Sequence, residues 1–152
     1  MHLMIGRSAI TAAFVFALLA TAAPAAAASC SVSPQQLSLG RYDPFASAPQ
    51  DAVTSIAISC DVETSVVIAI GPGNGDYGAR TMTGGAQALL YNLYIDPAHS
   101  RVWGDGTNGS STVSSTAVAT STAIPVYARA PARQTQLKPG SYSDILWVSI
   151  TY

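Results

Sequence analysis

The sequence predicts an all-β domain built as an antiparallel sandwich. Three observations carry this. Apolar residues alternate at a period of two in most of the ordered-looking stretches. Outside the first 28 residues, no stretch of twelve or more shows the 3.6-residue apolar period of a helix. Clusters of Gly, Pro, Asn and Asp stand between the alternating stretches, where turns belong.

The first 28 residues are of a different kind. Residues 1–7 are short and basic, with Arg7 as the firm charge, and residues 9–20 are an unbroken run of apolar and small residues. Pro24 and then Ala25 to Ala28 follow, which together read as an export signal cleaved before Ser29. Its strongly apolar part is about a dozen residues, short of the roughly 20 that a spanning helix needs. No membrane span is expected after cleavage. The remaining residues, 29–152, make one domain of 124 residues. They carry six Lys or Arg against eight acids, a formal charge of −2, and 28 Ser or Thr. This composition suits strands and offers few helix formers. No basic patch is available to neutralise phosphates, so nucleic acid is not an expected partner. Recurring Val, Ile, Leu and Tyr argue against a disordered tail.

In chain order, residues 30–39 supply an extended segment. Residues 53–62 are a strand with Ile56, Ile58, Cys60 and Val62 on one face, and residues 64–70 a second with Val66, Ile68 and Ile70 in phase. Residues 71–78 are a turn-rich connection. Residues 89–95 place Leu89, Tyr91, Leu93 and Ile95 together, residues 110–122 are a weakly marked strand or loop, and residues 123–130 align Ile124, Val126 and Ala128. Residues 141–152 form the clearest strand, with Leu146, Val148, Ile150 and Tyr152 on one face and Ile145 and Trp147 on the other. Apolar residues on both faces suggest that this strand is covered from both sides.

Two cysteines in an exported domain are most simply one disulfide, Cys30–Cys60, closing a loop of about 30 residues. Such a link constrains the unfolded chain by roughly 3–4 kcal/mol. Metal binding competes poorly, because the mature part has one His and no Cys-x-x-Cys spacing. The bridge implies an oxidising space such as a periplasm or cell surface.

Catalytic patterns are missing. There is no Gly-x-Ser-x-Gly, no His-Glu-x-x-His and no phosphate-cradling Gly-Lys-Ser. His99 lies in an Asp-Pro-Ala-His turn and reads as a solvated loop residue. Asp96, Asp105 and Asp144 read as turn and cap residues rather than a glycosidase-like carboxylate pair. Asn108-Gly-Ser110 fits a glycosylation sequon and also a plain Asn-Gly turn. No enzymatic activity, metal or cofactor is expected.

Several phrases coincide in order and spacing: Cys30-Ser-Val-Ser, Leu39-Gly-Arg-Tyr-Asp-Pro44, Arg80-Thr-Met-Thr-Gly84, and Leu90-Tyr-Asn-Leu-Tyr-Ile-Asp96. Val102-Trp-Gly-Asp-Gly-Thr107, Val126-Tyr-Ala-Arg129 and Gly140-Ser-Tyr-Ser-Asp144 continue the series. Across residues 29–152 this set resembles the spore coat protein U domain family, which includes subunits of archaic chaperone–usher pili. The resemblance implies an incomplete immunoglobulin-like antiparallel β-sandwich that lacks its last strand. It also implies three kinds of partner: a periplasmic pilus chaperone, an outer-membrane usher and neighbouring pilus subunits. The chaperone, and later a neighbour's strand, would fill an apolar groove along the final strand. Gly140, Tyr142, Leu146, Val148, Ile150 and Tyr152 are the residues expected to line it.

One feature departs from the family's shaft subunits, which carry a strand-length extension before the first Cys. After the expected cleavage only Ser29 precedes Cys30. The expectation is a terminal subunit at the fibre tip, or a non-polymerising relative, serving adhesion and biofilm formation. Two other readings stand beside it. One is a spore or cell coat protein of the same fold. The other is a secreted carbohydrate- or ligand-binding domain using Trp103, Tyr77, Tyr94 and Tyr127. Residues 71–85 and 104–115 are the long loops available for adhesion.

Overall fold

Eight strands and no helix make up the described residues of the computed structural model, which are 28–34 and 36–152. The expected export signal lies outside the described residues, apart from Ala28. In chain order the strands are β1 (Cys30–Pro34), β2 (Gln50–Cys60), β3 (Thr64–Ile70), β4 (Arg80–Gly84), β5 (Gln87–Tyr94), β6 (Val113–Ala117), β7 (Thr122–Ala130) and β8 (Val148–Thr151). They form a five-stranded sheet, ordered β1-β2-β7-β5-β4, and a three-stranded sheet, ordered β6-β3-β8. Every strand pairing is antiparallel. The result is a two-layer sandwich whose layers differ by two strands.

The β2–β7 pair is the spine of the larger sheet, in register from Gln50 opposite Ala130 to Ile58 opposite Thr122. Alternation decides which side chains enter the core: Ile56, Ile58, Cys60, Val126, Ala128 and Ala130 are all buried. Val62 leaves that series because β2 ends at Cys60 and the chain bends away, so Val62 is exposed. Pro125 sits inside β7 opposite Ser55, where its missing N–H costs nothing on the other side. There β7 has no neighbour, because its pairing with β5 is confined to Tyr127, Ala128 and Arg129.

Cys30 stands directly opposite Cys60 and the two are disulfide-bonded, with Cα atoms 4.1 Å apart. The link therefore ties neighbouring strands within one sheet. Reciprocal bonds close the same corner: Ser29 N donates to the Asp61 carboxylate and Asp61 N donates to Ser29 O.

β4 is the strand that alternation did not mark. Its inward positions are Met82 and Arg80, and Arg80 is completely buried. A two-residue turn at Gly85 and Ala86 joins β4 to β5, with Gly85 at φ 60°. A positive φ at that position suits the twist of a tight hairpin and suits glycine. Beyond the reach of β7, the Gln134 side chain takes over as partner to β5. Its Oε1 accepts from Leu90 N at 2.7 Å and its Nε2 donates to Leu90 O at 2.9 Å. One amide side chain thus replaces a missing peptide group.

Trp103 is fully buried between the layers, and its indole N–H donates to Ile68 O at 3.2 Å. His99 is not the solvated loop residue expected from the sequence. Its side chain is 7% exposed, edge-on to the Tyr94 and Tyr127 rings, with Nε2 3.9 Å from Asp51 Oδ1. The turn that presents it is held by Asp96, whose carboxylate accepts from Ser100 N and Arg101 N. Asp96 is therefore a turn cap, as expected, and Asp105 does the same for Thr107 N.

Candidate functional site

A three-stranded layer cannot cover a five-stranded one. The smaller sheet ends at β8, which pairs with β3 on one side and with no strand on the other. Beyond that free edge lies a cavity of about 970 Å³. Its floor is the inner face of the larger sheet, with Ile56, Val126, Leu89, Tyr91 and Leu93. The missing roof is replaced only by two irregular straps, residues 36–45 and 137–146.

Each strap is pinned by specific bonds. In the first, the Tyr42 hydroxyl donates to Pro131 O and accepts from Gln134 N, while Leu39 is buried in the core. The second crosses from one sheet to the other. Ser143 exchanges two backbone bonds with Thr83 of β4, at 2.8 and 3.1 Å. Four residues later Trp147 O accepts from Gly71 N, just past the end of β3. This change of sheet is why the long strand expected over residues 141–152 is regular only over Val148–Thr151.

Asp144 is the hub of the crossing. Its Oδ2 accepts from the Tyr91 hydroxyl at 2.7 Å, and its Oδ1 accepts from Asn74 Nδ2 at 2.9 Å and Asn74 N at 3.2 Å. Burial, reinforced by this hydrogen bond to a carboxylate, pushes the Tyr91 hydroxyl far above its ordinary value. Tyr91 therefore stays protonated and keeps donating. The expectation of a local turn role for Asp144 is too narrow, because the carboxylate joins three parts of the chain. Gly73 makes room for it: a Cβ there would lie 2.1 Å from Asp144 Oδ2 and 2.7 Å from Leu146 Cδ2, and φ is 66°. Shape and backbone conformation both select glycine.

Beneath the same corner, Arg80 holds the backbone at the end of β3, the strand on which β8 pairs. Its guanidinium donates to Gly71 O at 2.9 Å, Trp103 O at 2.7 Å and Asn92 Oδ1 at 2.5 Å, and lies over the Tyr77 ring at 5.3 Å. Asn92 passes the link on, donating to Tyr77 O at 2.9 Å. Burial lowers the Arg80 value, but a guanidinium remains charged in any ordinary range. Sequence reasoning did not assign Arg80 a role. The available signal was Asn92, a polar residue within the run Leu89–Tyr94 of leucines and tyrosines, twelve positions after a lone Arg.

The expected groove residues divide. Gly140, Tyr142, Leu146 and Val148 line the cavity. Ile150 faces the core half-buried beside β3, outside the cavity wall, and Tyr152 is exposed beyond the end of β8. Ile145 and Trp147, expected to be covered, are 82% and 83% exposed. Phe45, Leu39, Met82 and Tyr91 line the cavity without having been expected there. Among the described residues, no three His, Cys, Asp or Glu side chains stand together in a way that could hold a metal ion. Among the described residues there is no helix long and apolar enough to cross a membrane. What the site offers is an unpaired strand edge beside an uncovered apolar floor.

A model of the Spore Coat Protein U domain matches residues 15–149. Among solved structures, the chain is similar to one in a complex of Acinetobacter baumannii. That complex is the CsuC–CsuE chaperone–tip adhesion subunit pre-assembly complex from archaic chaperone-usher Csu pili. Identity is 18% and the TM-score 0.57, over 83% of this chain and 40% of that one. This chain thus spans about two fifths of the other's length, and at such identity the likeness is one of fold. No curated protein matches the sequence. With the family model covering most of its length, the chain belongs to the Spore Coat Protein U domain family.

Proposed function

We propose that this protein is an exported structural subunit of a chaperone–usher type pilus, completed by a strand from another protein. One observation carries the reading: the free edge of β8 borders an apolar cavity under a layer two strands short of its partner. A strand added beside β8 supplies backbone hydrogen bonds to the edge and drops alternate side chains onto the floor. An open edge over an uncovered core is otherwise an aggregation hazard. Gly140, Tyr142, Leu146 and Val148 act as the wall of the groove, and Ile150 and Tyr152 as the outer end of the accepting strand. The first partner is a periplasmic chaperone, then, at an outer-membrane usher, the donated strand of a neighbouring subunit. The protein acts by assembly, in the periplasm and then at the cell surface, and not as an enzyme.

The test is co-expression in a periplasm with and without a pilus chaperone. The expected result is a soluble one-to-one complex with the chaperone, and aggregation or proteolysis without it. Equal yield as a stable monomer in both cases, with no uptake of a strand peptide, overturns the reading.

A terminal place in the fibre, serving adhesion and biofilm formation, is the finer form of the proposal. Cleavage before Ser29 would leave one residue ahead of Cys30, too little to donate a strand. Mass spectrometry of the mature N-terminus decides it, since an extension of a dozen or more residues favours a shaft subunit. The family description keeps a coat role as the second reading. Sugar stacking is less well supported, because Trp103 and Tyr77 are buried, and Tyr94 and Tyr127 pack on His99.

A further inference from the structure

Residues 29–152 contain one methionine, Met82, since Met1 and Met4 belong to the expected export signal. Alternation along β4 turns its side chain inward, directly opposite Leu89 of β5, which is buried in the floor. Met82 is itself only partly buried, and it lines the cavity. The next residue, Thr83, is where the second strap joins the larger sheet through Ser143. The chain thus sets a single thioether at the border between a closed core and an opening of about 970 Å³. A hydroperoxide little larger than water enters such a space easily. The Cys30–Cys60 bond suits an oxidising space, where oxidants of that class are met.

Oxidation of this side chain changes what the floor can accept. The Met82 sulfur attacks one oxygen of the hydroperoxide, an S–O bond forms, and the O–O bond breaks. The sulfur gives up two electrons, and the other oxygen takes a proton and leaves as water when the oxidant is hydrogen peroxide. The product is a sulfoxide, polar and strongly accepting where the thioether was apolar and deformable. Its surroundings have no donor to spare. The Arg80 guanidinium is committed to Gly71 O, Trp103 O and Asn92 Oδ1, and the Tyr91 hydroxyl to Asp144. The rest of the floor, Ile56, Leu89, Leu93 and Val126, is hydrocarbon. While the groove is open, water reaches the sulfoxide and satisfies it. Once a strand covers the floor, that water is expelled and the acceptor is left without a partner.

We infer that Met82 is an oxidation site whose state decides whether the groove can be filled. A strand in place shields the sulfur from oxidant, and an oxidised sulfur opposes the strand. An empty subunit is therefore open to inactivation by peroxide and a completed one is protected. The inference rests on the groove reading above, and adds to it a chemical condition under which the groove stops working.

The test treats the full exported chain, kept dilute, with hydrogen peroxide and follows Met82 by peptide mass mapping. A synthetic peptide of alternating valine and threonine is added before or after the oxidant. The expected result is that Met82 gains one oxygen, that bound peptide slows this gain at least tenfold, and that the oxidised chain binds the peptide at least tenfold more weakly. Methionine sulfoxide reductase should restore the binding. Met82→Leu, of similar volume and without sulfur, should bind within twofold of the parent both before and after peroxide. Met82→Gln, polar at the same length, should bind like the oxidised chain. Equal oxidation rates with and without bound peptide overturn the inference. So does peptide binding within twofold of the parent once Met82 is oxidised, and so does a loss after peroxide that Met82→Leu shares, since another side chain is then responsible. Each of these outcomes leaves the groove standing. If the untreated chain takes up no peptide, the groove reading itself fails and this inference with it.

Discussion

β3 and β8 lie side by side, with Ile68 opposite Ile150 and Ile70 opposite Val148. Both alternate at a period of two, yet the outcomes differ. Val66, Ile68 and Ile70 are completely buried, whereas Leu146, Val148 and Ile150 remain half-exposed. β3 has β6 on one flank and β8 on the other, while β8 has only β3. Alternation therefore chooses a face, and a neighbour on each flank is what completes burial. The same pattern written twice gives one finished strand and one that awaits a partner.

The strongest way to break this contrast is to remove what holds the end of β3, on which β8 pairs. Arg80→Ala leaves Gly71 O, Trp103 O and Asn92 Oδ1 without their buried donor. At about 1–3 kcal/mol for each unsatisfied group, partly relieved by water, the loss should be about 4 kcal/mol or more. Urea unfolding of the purified chain measures it, and a loss below about 1 kcal/mol would mean that the arginine is not a support. The contrast is sharpened by comparing the two facing isoleucines. Ile68→Ala should cost about 3–4 kcal/mol and Ile150→Ala about 1 kcal/mol, because only the first empties a closed core. Repeating the measurement with a bound strand peptide should narrow that gap, and an unchanged gap would argue that the peptide does not lie beside β8.

A smaller effect is expected at the crossing. Asp144→Ala releases Tyr91, Asn74 and the strap together, for about 1–2 kcal/mol, and should speed uptake of a strand peptide in a stopped-flow assay. The smallest belongs to the far face of the larger sheet. The hydrogen-bonded Arg129 guanidinium holds Asp51 below the ordinary carboxylate range. Its stabilisation is present above the unfolded-state value near pH 4 and fades as pH falls through the lower folded-state one. Both groups are well exposed, so Asp51→Asn should cost less than about 0.5 kcal/mol at neutral pH, and the difference should vanish in acid.

How much of this was readable in advance follows from the same contrast. β2, β3, β5 and β7 were legible because their buried inward residues are apolar and alternate. β4 was not, since its most buried inward residue is Arg80, which is acceptable in the core only because Asn92 and three carbonyls converge on it. The last strand was legible as a pattern but not in length, because Ser143 finds its partner Thr83 in the other sheet. The cavity was half legible. Leu146 and Val148 belong to a visible alternation, whereas Leu39 and Phe45 reach the site on an irregular strap with no period to betray it. His99 was misread because Tyr127 and Asp51, which join the nearby Tyr94 around it, come from strands remote in sequence.

The Gln134 amide bonded to both backbone groups of Leu90 has a consequence for selectivity between copies. Molecules made to join edge to edge meet at high local concentration, and any unsatisfied peptide group is a competing place to join. By occupying Leu90 from within its own chain, Gln134 makes that stretch of β5 silent towards other strands. A polymer grows in an orderly way only when its wrong ends are quiet, and in the assembly proposed above this single side chain would do the quieting at the cost of no extra strand.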